Sequence, residues 1–386
     1  MVRVDAAEVR GIIAHFKDVA DPRSSINRRH VLVDVIVVSI CGVIAGADGP
    51  VGIEQWAQTQ TWLKKYLKLP HGIPSHDTIG RVLEALNPQT FQECFSAWLA
   101  SLGDQGDEKE REQQDKHYAI DGKALRRSHD RSRGFKALHL VSAWASQQGI
   151  TLGQVAIEEK SNEITAIPEL LDRLDLKKAI VTIDAAGCQK NIAQQIIDGG
   201  GDYILALKGN QDTLYQAVQN YFDTQVERDF VDVDVSYWEE QEKSHGRLDK
   251  RYYYQLAVPQ DLRGRKKWAR LRTLGVAMRI SEANGQETID TRFYISSLRR
   301  SIKRFARSVR GHWSIENTLH WCLDMTFRED ESRVRSRRLA DNLSWLRRLA
   351  LSLLKQHPLN QSIAMKRRIA GWNADFLMQV LTGTTS

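Results

Sequence analysis

The chain has 386 residues, 42% hydrophobic, 8% aromatic and 27% charged, which is enough for two or three domains and excludes fibrous, collagen-like and wholly disordered classes. Its 55 Lys and Arg against 48 Asp and Glu give a net charge of +7 and a pI near 9.1, a balance that favours a polyanionic partner. Four cysteines, Cys41, Cys94, Cys188 and Cys322, lie 53, 94 and 134 residues apart, too far for a zinc knuckle or redox motif, so a reduced, cytoplasmic protein is expected.

The N-terminal MVRVDAAE has no apolar signal core. The run Val31 to Ala47 is apolar, but it is 17 residues long and contains Asp34, so it reads as a buried core helix and no membrane association is expected. Ile53, Trp56, Leu63, Tyr66 and Leu67 recur at helical spacing and predict one amphipathic element. After the break LPHGIP, Ser75 or Asp77 can cap a second helix through Leu86. Helix, turn and capped helix fit a DNA-reading unit; two packed core helices with no ligand are the favoured alternative, because helix-turn-helix geometry needs tertiary evidence.

From Ser101 to Lys116 the sequence SLGDQGDEKEREQQDK cannot bury an apolar face and reads as a linker. Strand patterns follow at His117–Asp121, Leu138–Trp144, Ile150–Ile157, Ala179–Asp184 and Tyr203–Lys208, with helical spacing over Ile164–Leu174, Gln189–Ile197 and Asp212–Tyr221. This order predicts an α/β mixed sheet covered by helices. A second strand-rich block, about Phe230 to Leu298, has patterns at Phe230–Val235, Arg251–Val258 and Thr291–Ser296, and helices resume after it.

Asp121 and Asp184 each end an apolar strand and precede small residues, an arrangement that aims a side chain into the crevice where open α/β sheets bind ligands. If the strands are neighbours, two ionised carboxylates repel by about 4 kcal/mol at 4 Å for an effective dielectric constant of about 20. Hard oxygen donors would then recruit Mg²⁺ or Mn²⁺. Each Asp can instead cap the turn after its strand. Glu316 is the third candidate, a carboxylate in mid-helix beside Ile315 and Leu319 that is costly to bury unpaired. His312, Glu316 and His320 lie four apart and on a regular helix would share a face, which leaves a zinc reading open, although the His-Glu-x-x-His pattern is absent.

Three basic runs surround these acids, each with six Lys or Arg: Gly122–Lys136 with one Asp, Arg299–Arg310 with no acid, and Arg333–Arg348 with one Asp. Such runs suit a phosphodiester backbone, or form solvated helix faces. Lys123, Arg126, Arg127 and Arg310 are candidate DNA contacts, as are Lys160 and His312, while Trp313, His312 and Trp321 offer rings for base stacking or core packing.

The segments IDGK around Asp121, TIDAAGCQ around Asp184 and HWSIENTLHWCLDMTFREDESR around Glu316, with DPRSSINRRH and PSHDTIGRVLEAL near the N-terminus, resemble the DDE transposases of bacterial insertion sequences, specifically the H-repeat-associated subgroup. The likeness covers nearly the whole chain. It implies a ribonuclease-H-like core in two parts, 117–225 and 301–350, interrupted by a β-rich insertion over 226–300. A helical N-terminal domain over 1–100, a candidate for DNA binding, and the linker over 101–116 precede the core, and a helical tail over 351–386 follows it. By this resemblance Asp121, Asp184 and Glu316 are the catalytic and metal-binding triad, 63 and 132 residues apart, with two Mg²⁺ or Mn²⁺ ions. The implied partner is double-stranded DNA at transposon ends, bound by a homodimer. A Tyr, Arg, Glu, Lys pattern around the third acid of related transposases is replaced here by Val309, His312, Glu316 and Leu323, which leaves the phosphate contact to Arg310, His312 or others. A nuclease of the same fold and a catalytically silent DNA-binding protein remain alternatives.

Overall fold

The computed structural model describes residues 6–17, 19–103, 116–157, 161–244, 247–283 and 286–383. The N-terminal helices are α1 (Ala6–Phe16), α2 (Leu32–Ile44), α3 (Pro50–Gln58), α4 (Leu63–Tyr66), α5 (His76–Ala85) and α6 (Pro88–Gly103). The amphipathic element expected over Ile53 to Leu67 is therefore two helices, broken where Thr59 Oγ1 donates back to the Trp56 carbonyl. In α2 every residue but Val33 is buried. Its one charge, Asp34, is 4% exposed and accepts the Leu69 N–H at 2.8 Å, in the loop where Leu69 adopts a φ of 37°. Ser75 caps α5 by accepting the Thr78 N–H. Among the described residues no helix is long and apolar enough to cross a membrane.

The stretch read as a linker begins inside α6 and ends at the first residue of β1 (Lys116–Leu125); its residues 104–115 lie outside the described ones. Next come β2 (Leu138–Ala145), β3 (Ile150–Ala156), α7 (Glu163–Leu171), β4 (Ala179–Ile183), α8 (Lys190–Asp198), β5 (Asp202–Leu207) and α9 (Asp212–Glu227). Four long strands follow: β6 (Val235–Ser244), β7 (Arg247–Ala257), β8 (Thr273–Ala283) and β9 (Gln286–Ser296). The expected strand at Phe230–Val235 begins only at Val235, because Asp229 and Phe230 adopt left-handed φ values in a turn. β8 was not apparent from sequence alternation. All nine strands form one sheet in the order β3-β2-β1-β4-β5-β9-β8-β7-β6, so the second strand block extends the first through β9 against β5.

β1 runs antiparallel to β2 and parallel to β4, which runs parallel to β5. Alternate residues face opposite sides. Tyr118, Ile120, Val181 and Ile183 pack under α7 and α8. On the other face Ile180, Ile204 and Tyr294 meet Phe305 and Val309 of α10 (Ile302–Ser314). A π-helical turn over Ile315–His320 leads into α11 (Trp321–Met325), then α12 (Arg337–Gln356), α13 (Ile363–Trp372) and α14 (Ala374–Thr382).

α12 ties the helical layer to the sheet. Trp345 joins Phe95, which itself packs on Phe16 and Phe91, in an aromatic cluster. From the same helix, Ser352 Oγ accepts the Thr151 N–H at 3.1 Å, Asp341 Oδ1 accepts from Gln154 at 2.5 Å, and Arg348 Nε donates to Ser142 Oγ at 3.2 Å. Ser142 stands opposite Asp121 in the β1–β2 ladder, so α12 buttresses the strand that carries the first acid.

Candidate active site

β1 and β4 are in register through Ile120 opposite Ile183, so Asp121 and Asp184 occupy the next step on adjacent parallel strands. The sequence placed both acids at strand ends; in fact β1 continues past Asp121 to Leu125 while β4 stops at Ile183, and the gap opens beside Asp121. Asp184 also caps its turn, accepting the Ala186 and Gly187 N–H groups at 3.1 and 3.3 Å. That turn is tied to the start of α9 by Asn210 donating to the Ala185 carbonyl at 2.5 Å and Gln211 to that of Cys188 at 3.0 Å.

Burial, reinforced by the negative charge of Asp184, pushes the Asp121 carboxyl up to about 7; Glu316 and Glu163 add to the repulsion and the Gly122 N–H opposes it. Asp184 is raised as well, chiefly by burial and then by Glu163, against the opposing Gly187 N–H. Glu316 projects from the π-helical turn and is exposed. The structure thus brings the two aspartates together with Glu316 near enough to be felt by Asp121. Among the described residues no three His, Cys, Asp or Glu side chains already stand at metal-holding distances, so neither Asp121, Asp184 and Glu316 nor His312, Glu316 and His320 form a preassembled metal site.

His320 Nδ1 lies 3.6 Å from Asp121 Oδ2. Burial, with the cations of Arg348 and Lys123 nearby, drives the imidazole down to about 3, so it faces Asp121 as a neutral ring. His312 is also internal: its Nδ1 is 3.1 Å from Thr182 Oγ1, which reaches His117 Nε2 at 3.0 Å, and burial lowers its pKa to about 4. Trp313 packs against the α10 core with Arg292 over its ring at 5.1 Å.

The candidate DNA contacts divide by environment. Lys123, 8% exposed, bridges Asp324 at 2.7 Å and Asp330 at 3.0 Å, tying β1 to the segment after α11. Arg126 and Arg127 are exposed, Arg126 reaching Asp330 at 3.1 Å. Arg310 pairs with Glu242 of β6 at 3.2 Å. Lys160 lies outside the described residues. Arg347 and Arg348, from the third basic run, are buried on Glu329 at 3.8 and 3.1 Å.

Two neighbours of the acids had no sequence-derived role. His139 and Glu163 meet beside Gly122 at 2.8 Å, and the one available signal was the cap: Asn162 followed by Thr165 fixes Glu163 as the first residue of a helix that starts beside the strand ends.

Residues 112–353 match the family model described as Transposase DDE domain, and residues 13–99 match one described as DDE_Tnp_1-associated. Two similar proteins are the H repeat-associated putative transposases YhhI and YbfD of Escherichia coli strain K12. YhhI is 36% identical over 384 residues, covering 98% of this chain and 99% of its own length. YbfD is 38% identical over 256 residues, covering 66% and 97%.

Proposed function

The chain belongs to the family of transposases with a DDE domain, and from that premise we propose that Asp121, Asp184 and Glu316 form a divalent-metal site that cleaves and joins DNA at insertion-sequence ends. The supporting observation is that Asp121 and Asp184 each follow the last ladder pair, Ile120 and Ile183, of adjacent parallel strands, with the Asp121 carboxyl pushed up to about 7. Two largely desolvated carboxylates, with the Asp184 charge raising the cost of ionising Asp121, suit a hard cation, and oxygen donors suit Mg²⁺ or Mn²⁺. The first five strands, three antiparallel and then two parallel, with helices after β3 and β4, support a ribonuclease-H-like core.

When bound, one or two such ions supply Lewis-acid charge at the scissile phosphate and the departing oxygen. Asp121 and Asp184 would hold that charge beside the end of β4, between neighbouring strands inside the sheet, with Glu316 of the π-helical turn as the third ligand. Neutral His320 fills the space beside Asp121 without competing as a cation. In cleavage a water oxygen bonds to phosphorus as the bond to the 3′ oxygen breaks; in joining, the freed 3′ hydroxyl oxygen bonds to the phosphorus of a second phosphodiester as that phosphorus loses its own 3′ oxygen, and in each step the nucleophile's proton passes to solvent while the departing oxygen takes one up. Exposed Arg126 and Arg127 flank the strand end and suit backbone phosphates. Binding of end sequences as a homodimer completes the reading.

Asp184→Asn tests it. The variant should bind end-sequence DNA as the wild type does, in Ca²⁺ or Mg²⁺, yet neither cut nor join it. Metal-dependent cleavage retained at wild-type rate refutes the assignment, and cutting without joining by the wild type reduces the activity to that of a nuclease.

A further inference from the structure

A carboxylate outside the triad stands at the same gap. Glu163 is the first residue of α7, and its backbone is fixed by a reciprocal cap in which Asn162 Oδ1 accepts the Thr165 N–H at 3.3 Å and Thr165 Oγ1 accepts the Asn162 N–H at 3.4 Å. The side chain reaches the residue after Asp121. A Cβ built on Gly122 would lie 2.0 Å from Glu163 Oε1 and 2.5 Å from His139 Nε2, so only glycine lets this carboxylate rest against β1.

Neighbouring strand residues point to opposite faces, so Glu163 approaches from the side of the sheet opposite α10 and Glu316. Since β4 ends at Ile183, nothing in the ladder closes β1 on that edge at Gly122, and groups from both faces can meet beside the aspartates. The charge of Glu163 is felt by both Asp121 and Asp184. His139 Nε2 sits 2.8 Å from Glu163 Oε1 and is shut off from solvent, yet it lacks the in-line geometry of a hydrogen bond, so it restrains the carboxylate without satisfying it. A cavity of about 540 Å³ lined by Glu163, His139, Asn162, Ala186 and Gln189 connects this point to the turn after Asp184 and admits a hydrated ion.

We propose that Glu163 is a fourth carboxylate of the metal site, turning from His139 to share a divalent cation with Asp121 and Asp184 from the face opposite Glu316. The inference rests on the reading of those two aspartates as metal ligands. His139 is then a positioning residue that parks Glu163 when no cation is present. Loss of outer-shell partners alone weakens metal sites 10–100-fold, so losing a direct ligand should weaken this one by about tenfold or more.

The test is Mn²⁺ uptake by the full-length protein, followed by the free-ion paramagnetic resonance signal and by calorimetry, without DNA and without turnover. Glu163→Gln should bind Mn²⁺ about tenfold more weakly than wild type or take up one ion fewer, with an unchanged circular dichroism spectrum. Glu163→Asp, which keeps the charge on a shorter arm, should fall between the two. If Glu163→Gln and Glu163→Asp both bind as wild type while Asp184→Asn does not, the role of Glu163 is overturned and the triad stands. If Asp184→Asn also binds as wild type, or the wild type takes up no Mn²⁺, the metal-site reading falls and this inference with it.

Discussion

Replacing Asp121 by Asn should stabilise the ion-free protein, and by an amount that grows with pH. The Asp121 carboxyl stands at about 7 against an ordinary 3.8, because burial and then the Asp184 charge disfavour its ionised form. For a carboxyl raised on folding, the contribution to stability is complete below about 3.8, declines as pH rises toward 7 and is level above it. At ~1.4 kcal/mol per pH unit the full decline is about 4 kcal/mol, of which about 3 falls between pH 5 and pH 8. Asn is neutral throughout, and its Oδ1 can still accept the Gly122 N–H. With an unfolding entropy near 2.1 cal/mol/K per residue, about 0.8 kcal/mol/K for this chain, the melting temperature of Asp121→Asn relative to wild type should rise by about 3 °C between pH 5 and pH 8. The assay is scanning calorimetry of both proteins in EDTA across that range, where the other titrating groups cancel in the difference. Adding Mg²⁺ at pH 8 should recover the deficit in wild type and do nothing for the variant. A difference that stays constant with pH, or shrinks as pH rises, would show that Asp121 is not a strained acid and would remove the reason for a cation there.

Two other outcomes separate structural charges from DNA-binding ones. Glu329→Gln leaves Arg348 and Arg347 buried without a counter-charge and should cost about 3–5 kcal/mol in a urea melt; a loss below 1 kcal/mol would mean that those arginines find water or other partners. Lys123→Met should lower stability and leave the salt dependence of DNA binding unchanged, because its ammonium is engaged by Asp324 and Asp330. Arg126→Ala and Arg127→Ala should each flatten the slope of log affinity against log salt by about 1. The reverse pattern, in fluorescence anisotropy with end-sequence DNA, would return Lys123 to the DNA contacts.

The acids could be picked out from the sequence because their signal is local. An apolar run closed by Asp and then by small residues announces a strand with an acid near its carboxyl end; Asp184 follows the last residue of β4, whereas β1 runs on past Asp121 to Leu125. What the sequence could not tell was the fate of the basic runs. Lys123, Arg347 and Arg348 lie in stretches with the same composition as Arg126 and Arg127, yet the first three are buried on acids 201, 18 and 19 positions away along the chain, at Asp324 and Glu329. Only tertiary pairing distinguishes them. β8 was missed for a related reason: buried on its inner end and exposed at its outer end, it lacks a constant alternation. Glu163 has no role legible in the sequence, because its place at the site depends on the missing Cβ of Gly122, 41 residues earlier.

The third acid shows how far helical periodicity carries. On a regular α-helix, His312, Glu316 and His320 would stack along one face and invite a metal. The structure instead inserts a π-helical turn between α10 and α11, and the three side chains have different surroundings. His312 turns to Thr182 and His320 to Asp121, while Glu316 is left exposed. Two residues accommodate the change. Gly311 brings α10 onto β1, where a Cβ would stand 2.6 Å from His117 Nδ1, and Ser314 Oγ donates to the Gly311 carbonyl at 2.6 Å, competing with the helix ladder just before the turn widens. The π-helical turn therefore leaves Glu316 as the one of these three residues that faces solvent.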